Sequence, residues 1–245
     1  MRKKSRYFFA VDNYESPDIL SLKNPIKDAN EIARELRKNY DFDTRIIENP
    51  TLLEIEEEIK NLKKQYQSNR LNSEGQLLIF FSGHGEKDEN IGYFLPSDAN
   101  RDRLQATAFA YPLWRNKLSS VNCKHILVAI DACYSGRFDP DFGSKNLGSR
   151  YNEVSDEQKI IINYKNYTTR KFLTSGDDVK TPDESRFVYY FLEGLRTNRG
   201  LMTIHRLYPY LEKAVPTPIL GHFINDEPSS NFLFIRSDYT PPHAG

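Results

Sequence analysis

Two residues, each delivered at the end of an apolar run, carry the chemistry in this sequence. His84 closes the run in LLIFFSGHGE (77–86), and Cys133 follows the run in HILVAIDACYSG (125–136). A thiol with a pKa of about 8.5 is only a few per cent thiolate at pH 7. An imidazole beside it raises its nucleophilicity and can protonate a leaving amine, which is the chemistry of acyl transfer to a thiol. Gly83 and Gly85 let the backbone turn sharply around His84 and let a substrate approach closely. Backbone N–H groups freed beyond a strand end can point at a developing oxyanion, and those of Gly85 and Cys133 are the candidates.

Blander roles compete with this one. A cysteine near an apolar run is most often a small buried hydrophobe. Cys123 reads that way, because it precedes a strand with no partner signal. His125, His205 and His222 read as structural or exposed. A metal site built on His84 and Cys133 lacks two further ligands at sensible spacing.

The elements that must position the pair follow from hydrophobic patterning. RYFFAV (6–11), TRIIE (44–48), QLLIFF (76–81), HILVAI (125–130), KFLTS (171–175) and NFLFIR (231–236) read as strands. They lack alternation, as in a parallel sheet covered on both faces. Ile26, Ala29, Ile32, Ala33 and Leu36 form a helical stripe over 26–36. Leu52, Ile55, Ile59, Leu62 and Tyr66 form another over 52–66, with Thr51 and Glu54 as its capping box. Further helices are expected at 111–120, 185–196 and 201–214. Strands alternating with helices predict an α/β sandwich with right-handed crossovers. In such sheets ligands bind beyond the carboxyl ends of the strands, where SGHG and IDACYSG both emerge. If the third and fourth strands are neighbours, His84 and Cys133 meet. Residues 136–169 form a long, polar, turn-rich connection with room for one short helix. The tail SDYTPPHAG reads as a linker.

Composition narrows the classes. The chain has 245 residues, with 34 Lys and Arg against 34 Asp and Glu, so no net field marks a nucleic-acid or membrane binder. Two cysteines cannot form a disulfide framework. The opening MRKKSRYFFAVDNY has an apolar run of only Tyr7 to Val11, ended by Asp12, which is too short for a signal peptide. No later run reaches membrane-spanning length. A cytoplasmic protein is expected.

FFSGHG and AIDACYSG resemble the two signatures of the caspase-like cysteine peptidases (peptidase C14, clan CD). The pattern is most similar to metacaspases and bacterial caspase-like proteins, with their Ser-Gly-His-Gly and Asp-(Ser/Ala)-Cys-(His/Tyr)-Ser-Gly. His84 and Cys133 are 49 positions apart, close to the roughly 50 of the caspase pattern. VDNY with KDANEIARELRKNYDF resembles the family's first strand and helix, and GYFLPSDA its segment after the histidine. FLTSGDD, ESRFVYYFLEGL and NFLFIR resemble its C-terminal half. The resemblance implies a caspase-haemoglobinase fold over residues 1–238: a three-layer α/β sandwich around a mostly parallel six-stranded sheet, followed by a linker tail at 239–245. It implies a cysteine endopeptidase acting on protein or peptide substrates, with Cys133 as nucleophile, His84 as general acid/base, and an oxyanion hole from the N–H groups of Gly85 and Cys133. No third orienting residue is required in the family, and none stands out here. In related peptidases self-cleavage occurs in the linker after the nucleophile. Here 136–169 is expected to be mobile and processed, and it carries Arg137, Lys145, Arg150, Lys159 and Lys165. Regulatory partners and further domains beyond the tail stay open.

The departures bear on specificity. Animal caspases have Gln two positions before the cysteine and an arginine-lined pocket for aspartate; here that position is Asp131. Alternation puts Asp131 on the side of Cys133 and Ser82 on the side of His84. Asp28, in KDAN, matches the family aspartate that supplies the pocket's second acid. A pocket of Asp28, Asp131 and Ser82 is expected to take Arg or Lys on the acyl side of the cut bond. No cofactor is expected. Calcium-dependent metacaspases carry an acidic pair where this chain has ATAFAYPLW (106–114), which has no carboxylate, so calcium activation is not expected, although Asp98 in PSDA remains. Two other readings remain. One is a catalytically silent caspase-like scaffold, which would not need to keep His84, Cys133 and their glycines. The other is a flavodoxin-like small-molecule binder, which VDNYESPD serves poorly for want of a glycine-rich phosphate loop.

Overall fold

The first strand, β1 (Lys4–Ala10), lies inside the sheet, one place from its edge, because RYFFAV offers apolar side chains to both faces. The structure, a computed structural model, describes residues 4–140, 156–176 and 184–240. After β1 come α1 (Pro25–Tyr40), β2 (Phe42–Glu48), α2 (Leu52–Gln67) and β3 (Gln76–Ser82). A small sheet follows: β4 (Gly85–Asp88), β5 (Ile91–Phe94), the single turn α3 (Leu104–Thr107) and β6 (Phe109–Ala110). The chain continues through α4 (Tyr111–Ser119), β7 (His125–Asp131), α5 (Glu157–Asn166), β8 (Thr169–Thr174) and α6 (Arg186–Thr197). It ends in β9 (Leu201–Thr203), α7 (Ile204–Leu211), β10 (Ile219–His222) and β11 (Leu233–Ile235).

Local chemistry accounts for the helix ends. Pro25 starts α1 where a missing N–H costs nothing, and Asp41 ends it in the left-handed region at φ 56°. The expected capping box opens α2: the Thr51 hydroxyl accepts the Glu54 N–H (3.3 Å), and the Glu54 carboxylate accepts the Thr51 N–H (2.8 Å). Asp98 also serves this helix, its carboxylate accepting the Leu52 N–H at 2.8 Å.

The main sheet runs β2-β1-β3-β7-β8-β10, parallel except for β10, which is antiparallel to β8. Helices α1, α6 and α7 cover one face through residues such as Leu36, Phe191 and Leu207. The other face is covered by α2 and α4, through Ile59 and Trp114. This is the expected three-layer sandwich with a mostly parallel six-stranded centre.

Its last strand differs from expectation. The run NFLFIR does not join the main sheet; β11 pairs antiparallel with β9 in a separate two-stranded sheet, and the sixth place belongs to β10. Apolarity predicted burial correctly, since Phe232, Leu233 and Phe234 are buried, but burial does not name a pairing partner. The helix expected over 201–214 gives its first three residues to β9 for the same reason. In the 136–169 connection the short helix is α5, while residues 141–155, where much of the expected processing falls, lie outside the described residues. Among the described residues no helix is long and apolar enough to cross a membrane.

Candidate active site

Parallel pairing of β3 with β7 sets Ser82 opposite Asp131. The pairing runs one step further, because the Gly83 N–H donates to the Asp131 carbonyl at 3.2 Å. His84 and Cys133 therefore leave the sheet at equivalent positions on adjacent strands, both at its carboxyl edge. Their backbones then close on each other. A Cβ on Gly85 would stand 1.9 Å from the Cys133 carbonyl oxygen and 3.1 Å from its nitrogen, so no larger residue fits there without moving one of the two segments.

His84 is held at three atoms. Its N–H donates to the Tyr14 hydroxyl (2.7 Å), and its carbonyl accepts the Leu95 N–H (3.0 Å). Its Nε2 lies 2.8 Å from the Leu20 carbonyl. A carbonyl can only accept, so Nε2 carries the hydrogen, and in the neutral ring Nδ1 is left as the basic nitrogen. The sequence offered no orienting side chain for this histidine; the orienting group is a main-chain carbonyl, which no side-chain pattern announces.

Cys133 is half-buried and has no disulfide. The next residue, Tyr134, sits at φ 56°, where a bulky side chain is uncommon. Such backbone tension concentrates at functional sites, held by surrounding contacts. Here the contacts come from two sides. The Lys87 ammonium lies 5.0 Å from the centre of the Tyr134 ring, and the Arg137 guanidinium donates to the Glu89 carbonyl (3.1 Å), both tying the turn to the β4–β5 hairpin. The Ser135 hydroxyl donates to the Gly176 carbonyl beyond β8 (3.4 Å).

The residues expected to form the specificity pocket share one face of the sheet. In β7, Leu127 and Ala129 face α1, α6 and α7, and alternation carries Asp131 to that side; Leu78 and Phe80 do the same for Ser82 in β3. Both are buried. Asp28 lies half-buried in the first turn of α1, which packs on that face. Burial raises the Asp131 carboxyl above its ordinary value, opposed by the nearby Ser185 and Ser175 hydroxyls. Even so, Asp131 Oδ1 and Ser175 Oγ have no well-formed hydrogen bond among the described residues.

Sequence reasoning missed Tyr14, the Leu20 carbonyl and Asp12. Asp12 follows β1 at the same edge, and its carboxylate accepts the Ile26 N–H (3.0 Å), docking the start of α1. The one available signal was position: VDNY leaves a central strand toward the edge where His84 emerges. Among the described residues no three His, Cys, Asp or Glu side chains are grouped so as to hold a metal ion.

Comparison with known proteins agrees with this geometry. A family model for the caspase domain, Peptidase C14, matches residues 7–216. Among solved structures, the crystal structure of caspase-1 from Spodoptera frugiperda is similar with a TM-score of 0.56, over 90% of this chain and 86% of that one. The two are 17% identical, so this likeness speaks for the fold alone. No curated protein matches the sequence significantly.

Proposed function

The chain belongs to the caspase-domain family of cysteine peptidases, and from that premise we propose that it is an endopeptidase working through Cys133 and His84 and cutting after Arg or Lys. The observation that carries the dyad is the closure of Gly85 onto the Cys133 backbone, which leaves His84 and Cys133 side by side at one sheet edge. With Nε2–H donated to Leu20, Nδ1 takes the thiol proton as the sulfur attacks the substrate carbonyl. The carbonyl oxygen becomes an oxyanion met by the N–H groups of Gly85 and Cys133. The imidazolium then returns its proton to the departing amine, leaving a thioester. Water, deprotonated by Nδ1, hydrolyses the thioester and regenerates the thiol.

Basic specificity rests on Asp131. A buried carboxylate with an oxygen that has no well-formed hydrogen bond among the described residues is costly to ionise, and a substrate guanidinium would relieve that cost with a bidentate pair. Asp28 adds a second acid on the same face, and Ser82 a polar wall.

A thiol-reactive activity probe tests the dyad: it should label Cys133 in the native protein and lose that labelling in His84→Ala. General acid–base assistance is worth about 10²–10⁴-fold, so a His84→Ala protein retaining most of the wild-type rate would make the assignment wrong. Matched peptides ending in Arg, Lys, Asp or Leu before the scissile bond test the pocket. A preference for Asp or Leu sinks the basic specificity while leaving the dyad standing.

A further inference from the structure

His84 sits between two glycines, which bring flexibility and no side chain to anchor the turn. Its N–H has no place in the ladder with β7, since the Gly83 N–H already takes the Asp131 carbonyl. That N–H is satisfied by a side chain from another strand end: it donates to the Tyr14 hydroxyl at 2.7 Å. The hydroxyl in turn donates to the Val11 carbonyl (3.3 Å), so its lone pair is directed at His84. The turn is moulded on that oxygen, for a Cβ on Gly83 would lie 3.0 Å from it. The Tyr14 ring is tilted 43° to the imidazole at a centroid distance of 5.1 Å. It packs against both the main core and the smaller cluster of Ile19, Tyr93 and Leu95.

The loop that carries Tyr14 is itself tied down. Leu22 N–H donates to the Asp12 carbonyl and Glu15 N–H to the Ser97 carbonyl, each at 2.8 Å. The same loop presents the Leu20 carbonyl to Nε2. One loop thus grips the histidine twice, at its main chain through Tyr14 and at its ring through Leu20.

We propose that Tyr14 is a positioning residue for peptide hydrolysis: its hydroxyl fixes the Gly83–His84 turn so that Nδ1 is aimed at the Cys133 thiol. The inference rests on the dyad reading. Burial and the neighbouring Asp12 and Cys133 keep the phenol protonated, opposed only by the His84 N–H, so it acts by its hydrogen bonds and not as an acid or base. Without the hydroxyl the turn can rotate, and a misplacement of about 1 Å can cost on the order of 10²-fold.

Tyr14→Phe keeps the ring and removes the oxygen. With the peptide that the wild-type protein cuts fastest from a diverse library, the variant should show kcat lowered about 10–100-fold and KM within about twofold. Iodoacetamide at about pH 7 should alkylate Cys133 more slowly in the variant than in the wild-type protein, because a turned imidazole no longer takes the thiol proton. A merely structural role would lower the folded fraction without slowing alkylation of the folded protein. An unchanged kcat and alkylation rate in Tyr14→Phe, alongside an inactive His84→Ala, overturns the role of Tyr14 and keeps the dyad. An active His84→Ala overturns the dyad and Tyr14 with it. Should Tyr14→Phe not fold, amide exchange in the wild-type protein decides: a protected His84 N–H supports the proposal, and one exchanging as freely as an unstructured amide overturns it.

Discussion

Strand β7 begins at His125, two residues after Cys123, and ends two residues before Cys133, and the two ends have opposite fates. At the amino end Cys123 and His125 are both buried. The Cys123 thiol faces the carbonyls of Gly75 and His125 (3.6 and 3.5 Å), and burial pushes its pKa up. The His125 ring stacks on Tyr164 at 3.8 Å, with Nδ1 3.0 Å from the Thr169 hydroxyl. These are groups used for packing. At the carboxyl end Cys133 is half-buried, precedes a left-handed tyrosine, and lies against a glycine that follows a histidine gripped at three atoms. Residue type is therefore a poor guide to reactivity. What separates the ends is where the chain leaves the sheet, and whether the backbone beyond it can close on a neighbour.

Buried charge repeats the contrast. Away from His84 and Cys133, the buried Lys171 meets the half-buried Asp226 at 2.6 Å, and Asp226 also accepts the Arg170 N–H and the Ser230 hydroxyl. At the carboxyl end of β7, Asp131 is buried with serines for neighbours. The first arrangement stabilises the fold. The second costs stability at the residue to which we assign basic specificity.

The largest effect that would break this comparison is on the cysteines. Cys133→Ala should abolish hydrolysis, while Cys123→Ala should retain it within a few-fold and cost about 1 kcal/mol of stability. Peptide cleavage and denaturant unfolding read both, and equal losses of activity would erase the distinction between the two ends. Next is Gly85→Ala. Its new methyl meets the Cys133 carbonyl, so activity should fall at least ~100-fold and stability by about 1–3 kcal/mol. Near-normal turnover in that variant would mean the two backbones do not meet as described.

The charge contrast is sharpened by a matched pair of substitutions. Asp226→Asn leaves Lys171 buried without its counter-charge and should cost about 3–5 kcal/mol. Asp131→Asn should instead gain about 1 kcal/mol at pH 7, since a carboxyl raised in the folded state favours folding only while protonated. That contribution is present below the ordinary value of 3.8 and is lost as pH rises toward the folded value. The associated loss for Asp131→Ala should be at least ~30-fold on basic peptides, from a charge pair worth about 2–5 kcal/mol. Thermal unfolding in which both Asn variants shift the same way would refute the contrast.

The last expected effect is a pH dependence that leaves the two dyad residues untouched. Burial, with Lys171 nearby, pushes the His205 imidazole from 6.5 down to about 4. The folded protein then binds fewer protons than the unfolded chain between those values. The associated stability is complete above pH 6.5 and is lost as pH falls to about 4, amounting to about 3 kcal/mol at most. His205→Gln should flatten that limb of a stability–pH curve; an unchanged limb would assign it elsewhere.

Much of this was legible in one dimension. The runs ending at Ser82 and Asp131 are buried along their whole length, as their missing alternation requires. Glycines around His84 and the turn after Cys133 marked two exits from a sheet. Helices α1 and α2 followed their stripes, and α2 its capping box. Other features were hidden. In β10, ILGH is short, follows Pro216 and Pro218, and is only partly buried, so it carries no core-strand signal although it completes the sheet. In β11 the strand signal was strong and the assignment to the main sheet was wrong, because apolar side chains record burial and not the identity of the neighbouring backbone.

The sequence by itself determined that a thiol and an imidazole emerge at strand ends with room for close backbone approach, since glycine, alternation and apolar runs are local properties. Only the tertiary structure decided that those exits are adjacent and in register, that Tyr14 and Leu20 reach across to His84, and that Nδ1 is the nitrogen left basic. Each of these depends on a hydrogen bond to a main-chain group of a segment far away in the chain. Main-chain groups are the same at every residue and leave no trace in the pattern of side chains.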